Sequence, residues 1–223
     1  MQPDFLIDAR SKSYPLAAAP TQASALAARG WNVLRDDLPY PLAVIRQSAL
    51  AHNARWMQDY AARRQIQFAP HGKTTMSPQL FDLQLQGGAW GLTFATIFQL
   101  AVGVEAGARR AIIANQVVAP ADLDGLDALL SQHADLRVWF LVDSISQLRC
   151  IEDWSRARNS ARRFDVLIEV GIPGQRTGVR SQEDALALAQ AIHASGSAQL
   201  GGIECYEGGL TQCDSAHDIP AVA

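Results

Sequence analysis

Lysine is nearly missing from this chain. Of the 19 basic residues 17 are Arg, and the only lysines are Lys12 and Lys73. Arg stays charged at any working pH, whereas a Lys amine can be neutral and nucleophilic where its surroundings lower its pKa. A surface lysine spared by chance is the plain alternative, and a single residue offers no statistics against it. Cysteine is scarce as well. Cys150, Cys205 and Cys213 are odd in number and form no C-x-x-C pair, which reads as free thiols in a reducing, cytoplasmic compartment. A Cys205/Cys213 metal pair is weaker than a small buried residue and a loop residue. Net charge is only −3, so no basic surface argues for nucleic acid. No apolar run approaches the roughly 20 residues of a membrane span. The start, Met1-Gln-Pro-Asp, lacks the basic-then-apolar pattern of a signal peptide. What remains is a globular balance, 48% hydrophobic and 18% charged over 223 residues, with length for one substantial core.

Lys73 lies in Ala69-Pro-His-Gly-Lys-Thr-Thr-Met-Ser-Pro78. Gly72-Lys73-Thr74 could be the tail of a phosphate-binding loop, G-x-x-x-x-G-K-[ST]. The first glycine would then fall at position 67, which is Gln67, and Pro70 has no N–H for a phosphate. Lys73 therefore needs another explanation.

After Pro41, short apolar runs alternate with helical patterns. The strand candidates are Leu42–Arg46, Ile66–Pro70, Gly91–Ala95, Ala111–Ala114, Arg137–Val142, Phe164–Val170 and Gln199–Cys205, with starts 20 to 35 residues apart. Leu123, Leu126, Leu129 and Leu130 make one apolar helical face, and Ile145, Leu148, Ile151 and Trp154 another. Ser77-Pro78 reads as an N-cap with Pro at the first helical position. Thr96-x-x-Gln99 and Ser144-x-x-Gln147 fit the capping box. Ser181 caps a helix whose third position is Asp184.

Units of this kind imply α/β architecture with a parallel sheet. A doubly wound sheet would show a Gly-rich turn after its first strand, and none follows Leu42–Arg46. A (β/α)8 TIM-type barrel fits the spacing but normally takes about 250 residues. Seven βα units are visible and no eighth strand pattern occurs in 214–223, so the expectation is an incomplete barrel over 41–223 or a fragment. Residues 1–40, rich in Ala and Pro, read as an arm outside it. Such a fragment would leave unpaired strand edges; residues 1–223 alone are expected to be poorly stable and inactive.

Reactive groups of a parallel barrel project from the C-terminal strand ends. Four places qualify: His71-Gly72-Lys73, Asn115-Gln116, Gly171 to Gly178 with Arg176, and Tyr206-Glu-Gly-Gly209. Gly-rich turns, a packed histidine or a core tyrosine are the plain readings. Their convergence on one rim raises the functional one. An imine-forming amine, a guanidinium and a phenol suit pyridoxal phosphate, with Arg176 able to meet a carboxylate or ring substituent as a planar fork.

From about Pro41 to Gly209 the chain resembles the fold-type III pyridoxal phosphate enzymes, those with an alanine-racemase-type N-terminal barrel. Within them it looks most like the D-serine dehydratase / D-threonine aldolase group, in particular its amino acid deaminases. Pro70-His-Gly-Lys-Thr74 is similar to that group's Pro-His-x-Lys-Thr, whose lysine carries the cofactor. Arg176-Thr-Gly178 matches its Arg-x-Gly, and Gly202-Ile-Glu-Cys-Tyr-Glu-Gly208 aligns with a segment that ends in His-x-Gly in many members. Ala69, Thr75-Met76 and Tyr206 depart from an Arg, a His-Lys pair and a His respectively, which leaves the substrate open. The resemblance implies a catalytic Lys73 and a cofactor site of Lys73, His71, Arg176, Tyr206, Asn115 and Gln116. It implies a lyase that deaminates a D-β-hydroxy amino acid such as D-serine or D-threonine, with room for a homodimer. The alternatives are retro-aldol cleavage, a non-catalytic pyridoxal phosphate carrier and, more weakly, a racemase. A divalent metal would come only with the family's C-terminal β domain; Cys213 and His217 are not substitutes.

Overall fold

A computed structural model describes residues 4–209. The chain divides into two compact units, Met1–Ile66 and Gln67–Ala223. In the first, β1 (Leu6–Ile7) pairs antiparallel with β2 (Thr21–Gln22). Tyr14 packs edge-on against Trp31 with 5.4 Å between centroids, and its hydroxyl donates to the Ala19 carbonyl at 2.5 Å. The unit ends in α1 (Gln47–Arg64). Leu42–Arg46, expected as a strand, makes no ladder. Val44 and Ile45 are 59% and 68% exposed, and Arg46 is the extended residue before α1. An apolar β-branched run becomes a strand only where a neighbour supplies the other half of its hydrogen bonds.

The second unit runs α2 (Pro78–Gln86), β3 (Leu92–Phe94), α3 (Ile97–Glu105), β4 (Arg110–Gln116), α4 (Pro120–Gln132), β5 (Arg137–Val142), α5 (Ile145–Arg158), β6 (Phe164–Val170), α6 (Gln182–Ala194) and β7 (Ala198–Cys205). The five strands form one sheet in the order β3-β4-β5-β6-β7, every pair parallel. Because neighbours in sequence are neighbours in the sheet, right-handed crossovers put α3 to α6 on one side. A doubly wound sheet needs a reversal of strand order, and this one has none. It is an arc of a barrel-type α/β fold.

The helix signals hold, with one change. Ser77, Thr96, Ser144 and Ser181 each accept a hydrogen bond from the backbone N–H three residues on. The reciprocal bonds of the two capping boxes reach one residue further back than expected. Gln99 accepts from the Ala95 N–H at 2.9 Å and Gln147 from the Asp143 N–H at 3.2 Å. Gln147 also donates to the Leu141 carbonyl at 2.8 Å, which ties the start of α5 to the end of β5.

Alternation along the strands sorts the side chains. Leu92, Phe94, Ile113, Phe140, Val142, Val166 and Ile168 face the helices and are buried against residues such as Leu100, Leu123, Ile151 and Leu188. Thr93, Gln116, Trp139 and Glu169 fall on the opposite, concave face. The β6–β7 register shifts by one residue, from Val166↔Leu200 to Leu167↔Gly202. Gly201 is the extra residue, and a Cβ there would lie 2.6 Å from the Trp139 indole.

Candidate active site

Ile66–Pro70, the second expected strand, is extended but forms no ladder of its own. It lies along β3 all the same. Trp90 N–H donates to the Phe68 carbonyl at 2.9 Å, Thr93 N–H to the Pro70 carbonyl at 2.9 Å, and the Thr93 hydroxyl to the Ala69 carbonyl at 2.7 Å. Pro70 has no N–H to return, so only an isolated parallel bridge, His71↔Thr93, follows. The chain then enters a 3₁₀ turn, Gly72–Thr74. Gly72 is buried, and an added Cβ would stand 2.6 Å from the Phe94 ring and 2.9 Å from Phe81. Those rings pack edge to face at 5.6 Å. The glycine therefore lets the backbone sit directly on the core, and Lys73 emerges beside it, exposed at the rim.

His71 precedes it. Its Nδ1 is 3.1 Å from the Thr93 carbonyl. A carbonyl only accepts, so Nδ1 carries the proton in this contact. Burial, and then the Lys73 charge, hold His71 below the ordinary imidazole range, partly offset by the Thr93 carbonyl.

At the end of β4, Asn115 donates to the Ala95 carbonyl at 3.4 Å and accepts from the Gln116 N–H at 3.1 Å. Gln116 reaches across the concave face. Its amide donates to Asp143 at 3.2 Å and to Glu169. Glu169, only 5% exposed, also accepts from the Thr177 hydroxyl at 2.7 Å. Asp143 accepts from the Gly178 N–H at 3.2 Å, which fastens the glycine-rich loop after β6 to the end of β5. Glu169 pairs in register with Glu204 on β7, so both side chains share the concave face. Burial first, then Glu169 and Glu207, push the Glu204 carboxyl above its usual range, with Arg176 opposing. Its Oε2 is buried and has no hydrogen-bond partner among the described residues.

Arg176 lies over the Tyr206 ring, 4.7 Å from guanidinium carbon to centroid. Glu169, Arg176, Thr177 and Tyr206 line one small concavity. Two groupings thus stand on the C-terminal edge of one sheet: His71 with Lys73, and Gln116 with the acidic and Arg176/Tyr206 set. Asn115, next to Gln116, bonds back to the end of β3. Among the described residues no hydrogen bond or ion pair joins Lys73 to Arg176 or Tyr206.

Asp143, Glu169, Thr177 and Glu204 went unread in the sequence. For Glu169 and Glu204 the available signal was a carboxylate near the C-terminal end of each of two apolar strands, Phe164–Val170 and Ala198–Cys205. Cys205, read as a small buried residue, is exposed and donates to Glu207 at 3.0 Å. Cys213 and His217 lie outside the described residues. Among the described residues no cluster of His, Cys, Asp or Glu is suited to a metal ion, and no helix is long and apolar enough to cross a membrane.

Known proteins resemble the chain in sequence and fold. The chain is 31% identical over 172 residues to a D-threonine aldolase of Arthrobacter sp., covering 76% of this chain and 44% of the aldolase. It is 29% identical to the D-threo-3-hydroxyaspartate dehydratase of Delftia sp. (strain HT23), covering 83% and 48%. The crystal structure of D-threonine aldolase from Filomicrobium marinum superposes with a TM-score of 0.66 at 28% identity, covering 75% of this chain and 44% of that one. The chain spans less than half the length of these relatives. Residues 45–216 match the family described as alanine racemase, N-terminal domain, and the sequentially ordered parallel sheet with a lysine at its C-terminal rim is in keeping with that match: the chain belongs to the alanine racemase N-terminal domain family.

Proposed function

We propose that this chain is the barrel portion of a pyridoxal phosphate-dependent lyase that acts on a D-β-hydroxy amino acid. The observation that carries the reading is the placement of Lys73, an exposed amine held by a core-packed glycine at the C-terminal rim of a parallel sheet. The surrounding groups suit the cofactor. Lys73 would hold it covalently. Arg176, Tyr206, His71, Asn115 and Gln116 would supply a guanidinium, an aromatic face and amide and imidazole groups, and the unpartnered Glu204 oxygen leaves one polar position unfilled. When bound, the cofactor takes up the electron pair left on the substrate Cα.

The chain's own residues would do the rest. The Lys73 amine would serve as the base that takes the proton from the substrate Cα. Arg176, anchored over Tyr206, offers a planar fork to a carboxylate. Loss of the β-hydroxyl as water after this proton transfer would leave an enamine, and its tautomerisation and hydrolysis would give a keto acid and ammonia. The relatives named as aldolases favour a second outcome, cleavage between Cα and Cβ. A D-3-hydroxyaspartate-type substrate joins D-threonine and D-serine on that evidence.

The test is product analysis on the protein at its full genomic length, given D and L isomers of serine, threonine and 3-hydroxyaspartate. Ammonia with a keto acid from D isomers supports dehydration. Glycine with an aldehyde moves the assignment to retro-aldol cleavage. Consumption of L isomers alone, or simple interconversion of isomers, would sink the reading.

A further inference from the structure

His71 is more constrained than a rim histidine need be. The Thr93 carbonyl at 3.1 Å fixes the proton on Nδ1, and a neutral ring then carries a lone pair on Nε2. No hydrogen bond to Nε2 occurs among the described residues. The carbonyl acceptor is held in place, because Thr93 is itself tied to the segment before His71 by two further bonds, from its N–H to Pro70 and from its hydroxyl to Ala69. The charged group acting on His71 is Lys73, from the 3₁₀ turn. From β3 it receives only the Thr93 carbonyl. Burial and the neighbouring cation both favour the neutral form. A neutral, tautomer-fixed imidazole with a free acceptor therefore stands two residues from the amine.

We propose that His71 is the proton carrier of the Lys73 amine. This rests on the reading of Lys73 as the residue that condenses with an aldehyde. When Nζ adds to a carbonyl carbon, a C–N bond forms and the nitrogen is left with an extra proton. The carbonyl oxygen must gain protons to leave as water. His71 Nε2 takes a proton from nitrogen, becoming an imidazolium, and gives it to the oxygen; a second transfer of the same kind moves the other nitrogen proton, so that the oxygen leaves as water and the ring ends neutral. Atoms balance as amine plus aldehyde giving a C=N bond and one water, and no oxidant or reductant is needed. The Thr93 carbonyl holds Nδ1–H throughout and stabilises the transient charge. The same transfer operates in reverse when a substrate amine displaces Lys73.

The experiment follows labelling of the full chain by pyridoxal 5′-phosphate with cyanoborohydride, read by peptide mass spectrometry across pH 5 to 9. Lys12 is the internal control. His71→Asn keeps an N–H for the Thr93 carbonyl and removes the Nε2 acceptor. Labelling of Lys73 should slow about 10²-fold in the variant, the usual size of a general acid–base contribution, and lose the part of its pH dependence that the imidazole supplies, with Lys12 unchanged. Equal Lys73 rates in wild type and variant overturn this proposal alone. No label on Lys73 in the wild type overturns the proposed function together with it. Should the variant fail to fold, ¹⁵N shifts of the wild-type imidazoles decide. Nδ1–H with a bare Nε2 at pH 7 upholds the proposal, and the Nε2–H tautomer or an imidazolium refutes it.

Discussion

Glu169 and Glu204 stand side by side on adjacent parallel strands, yet one is supplied with donors and the other is not. The folded-state pKa of Glu204 is raised. A raised carboxyl contributes stability that is fully present below its unfolded value and is lost as pH rises through the folded one. The wild type should therefore lose stability, relative to Glu204→Gln, as pH climbs from about 4 toward 7. Glu169→Gln should instead cost stability through its lost hydrogen bonds. It turns acceptors for Gln116 and Thr177 into a mixed amide and should cost roughly 1–3 kcal/mol, the penalty of buried polar groups left unpaired. Urea unfolding at pH 4 and pH 7 checks both. A neutral-pH gain for Glu169→Gln would show that the donor network has been misjudged.

Gly72→Ala should destabilise by about 1–3 kcal/mol through overpacking, because its Cβ would fall 2.6 Å from Phe94 and 2.9 Å from Phe81. The change also pushes the Lys73 turn off the core, so Lys73 labelling should fall alongside the denaturation midpoint. Phe94→Leu in the same chain should return part of the midpoint. No rescue would mean that the strain lies in the backbone rather than in the ring.

Asp124 links two helices. Arg158 meets both its oxygens at 2.8 Å and the Trp154 indole N–H donates to it at 2.9 Å. These bonds, those from Arg158 first, lower its pKa from 3.8 to about 2. A depressed carboxyl contributes stability above its unfolded pKa and loses it as pH falls through the folded one. Asp124→Asn should therefore lower the melting temperature at pH 6 and match the wild type near pH 2. A difference that persists at pH 2 would assign the effect to packing around Trp154.

The Glu207 carboxylate accepts from the Cys205 thiol and, with burial, pushes its pKa up to about 11. The thiolate is the reactive form. Iodoacetamide at pH 8 should modify Cys205 slowly despite its exposure, and Glu207→Gln should raise that rate about tenfold or more, each pKa unit being a factor of ten. Peptide mapping separates it from Cys150. Rapid alkylation in the wild type would contradict the hydrogen bond.

Legibility in the sequence followed the range of the forces involved. The four strands from β4 to β7 and the Ser and Thr caps are local patterns, and they fall within a few residues of where periodicity and capping chemistry put them. Leu42–Arg46 and Ile66–Pro70 carry the same apolar signal and form no ladder, because a ladder is a property of two segments and sequence shows one. The rim position of Lys73 follows from the strand-end reading of its motif. Glu169 and Glu204 were not legible. A single carboxylate in an apolar strand looks like an outward residue until the fold sets a second one, 35 positions later, beside it.

The extra residue at Gly201 acts as a parity switch. Leu200 pairs with Val166 and lies on the helix side; after the slip, Gly202 pairs with Leu167 and Glu204 with Glu169 on the concave side. Without the slip every later side chain of β7 would trade faces. Ile203, now 73% exposed, would turn inward, and Glu204 would point away from Glu169. The polarity of this end of the sheet is thus counted out by a pair of glycines rather than chosen by the carboxylates themselves. Deleting one of them would rewrite the chemistry of the rim while leaving every acidic residue in the sequence.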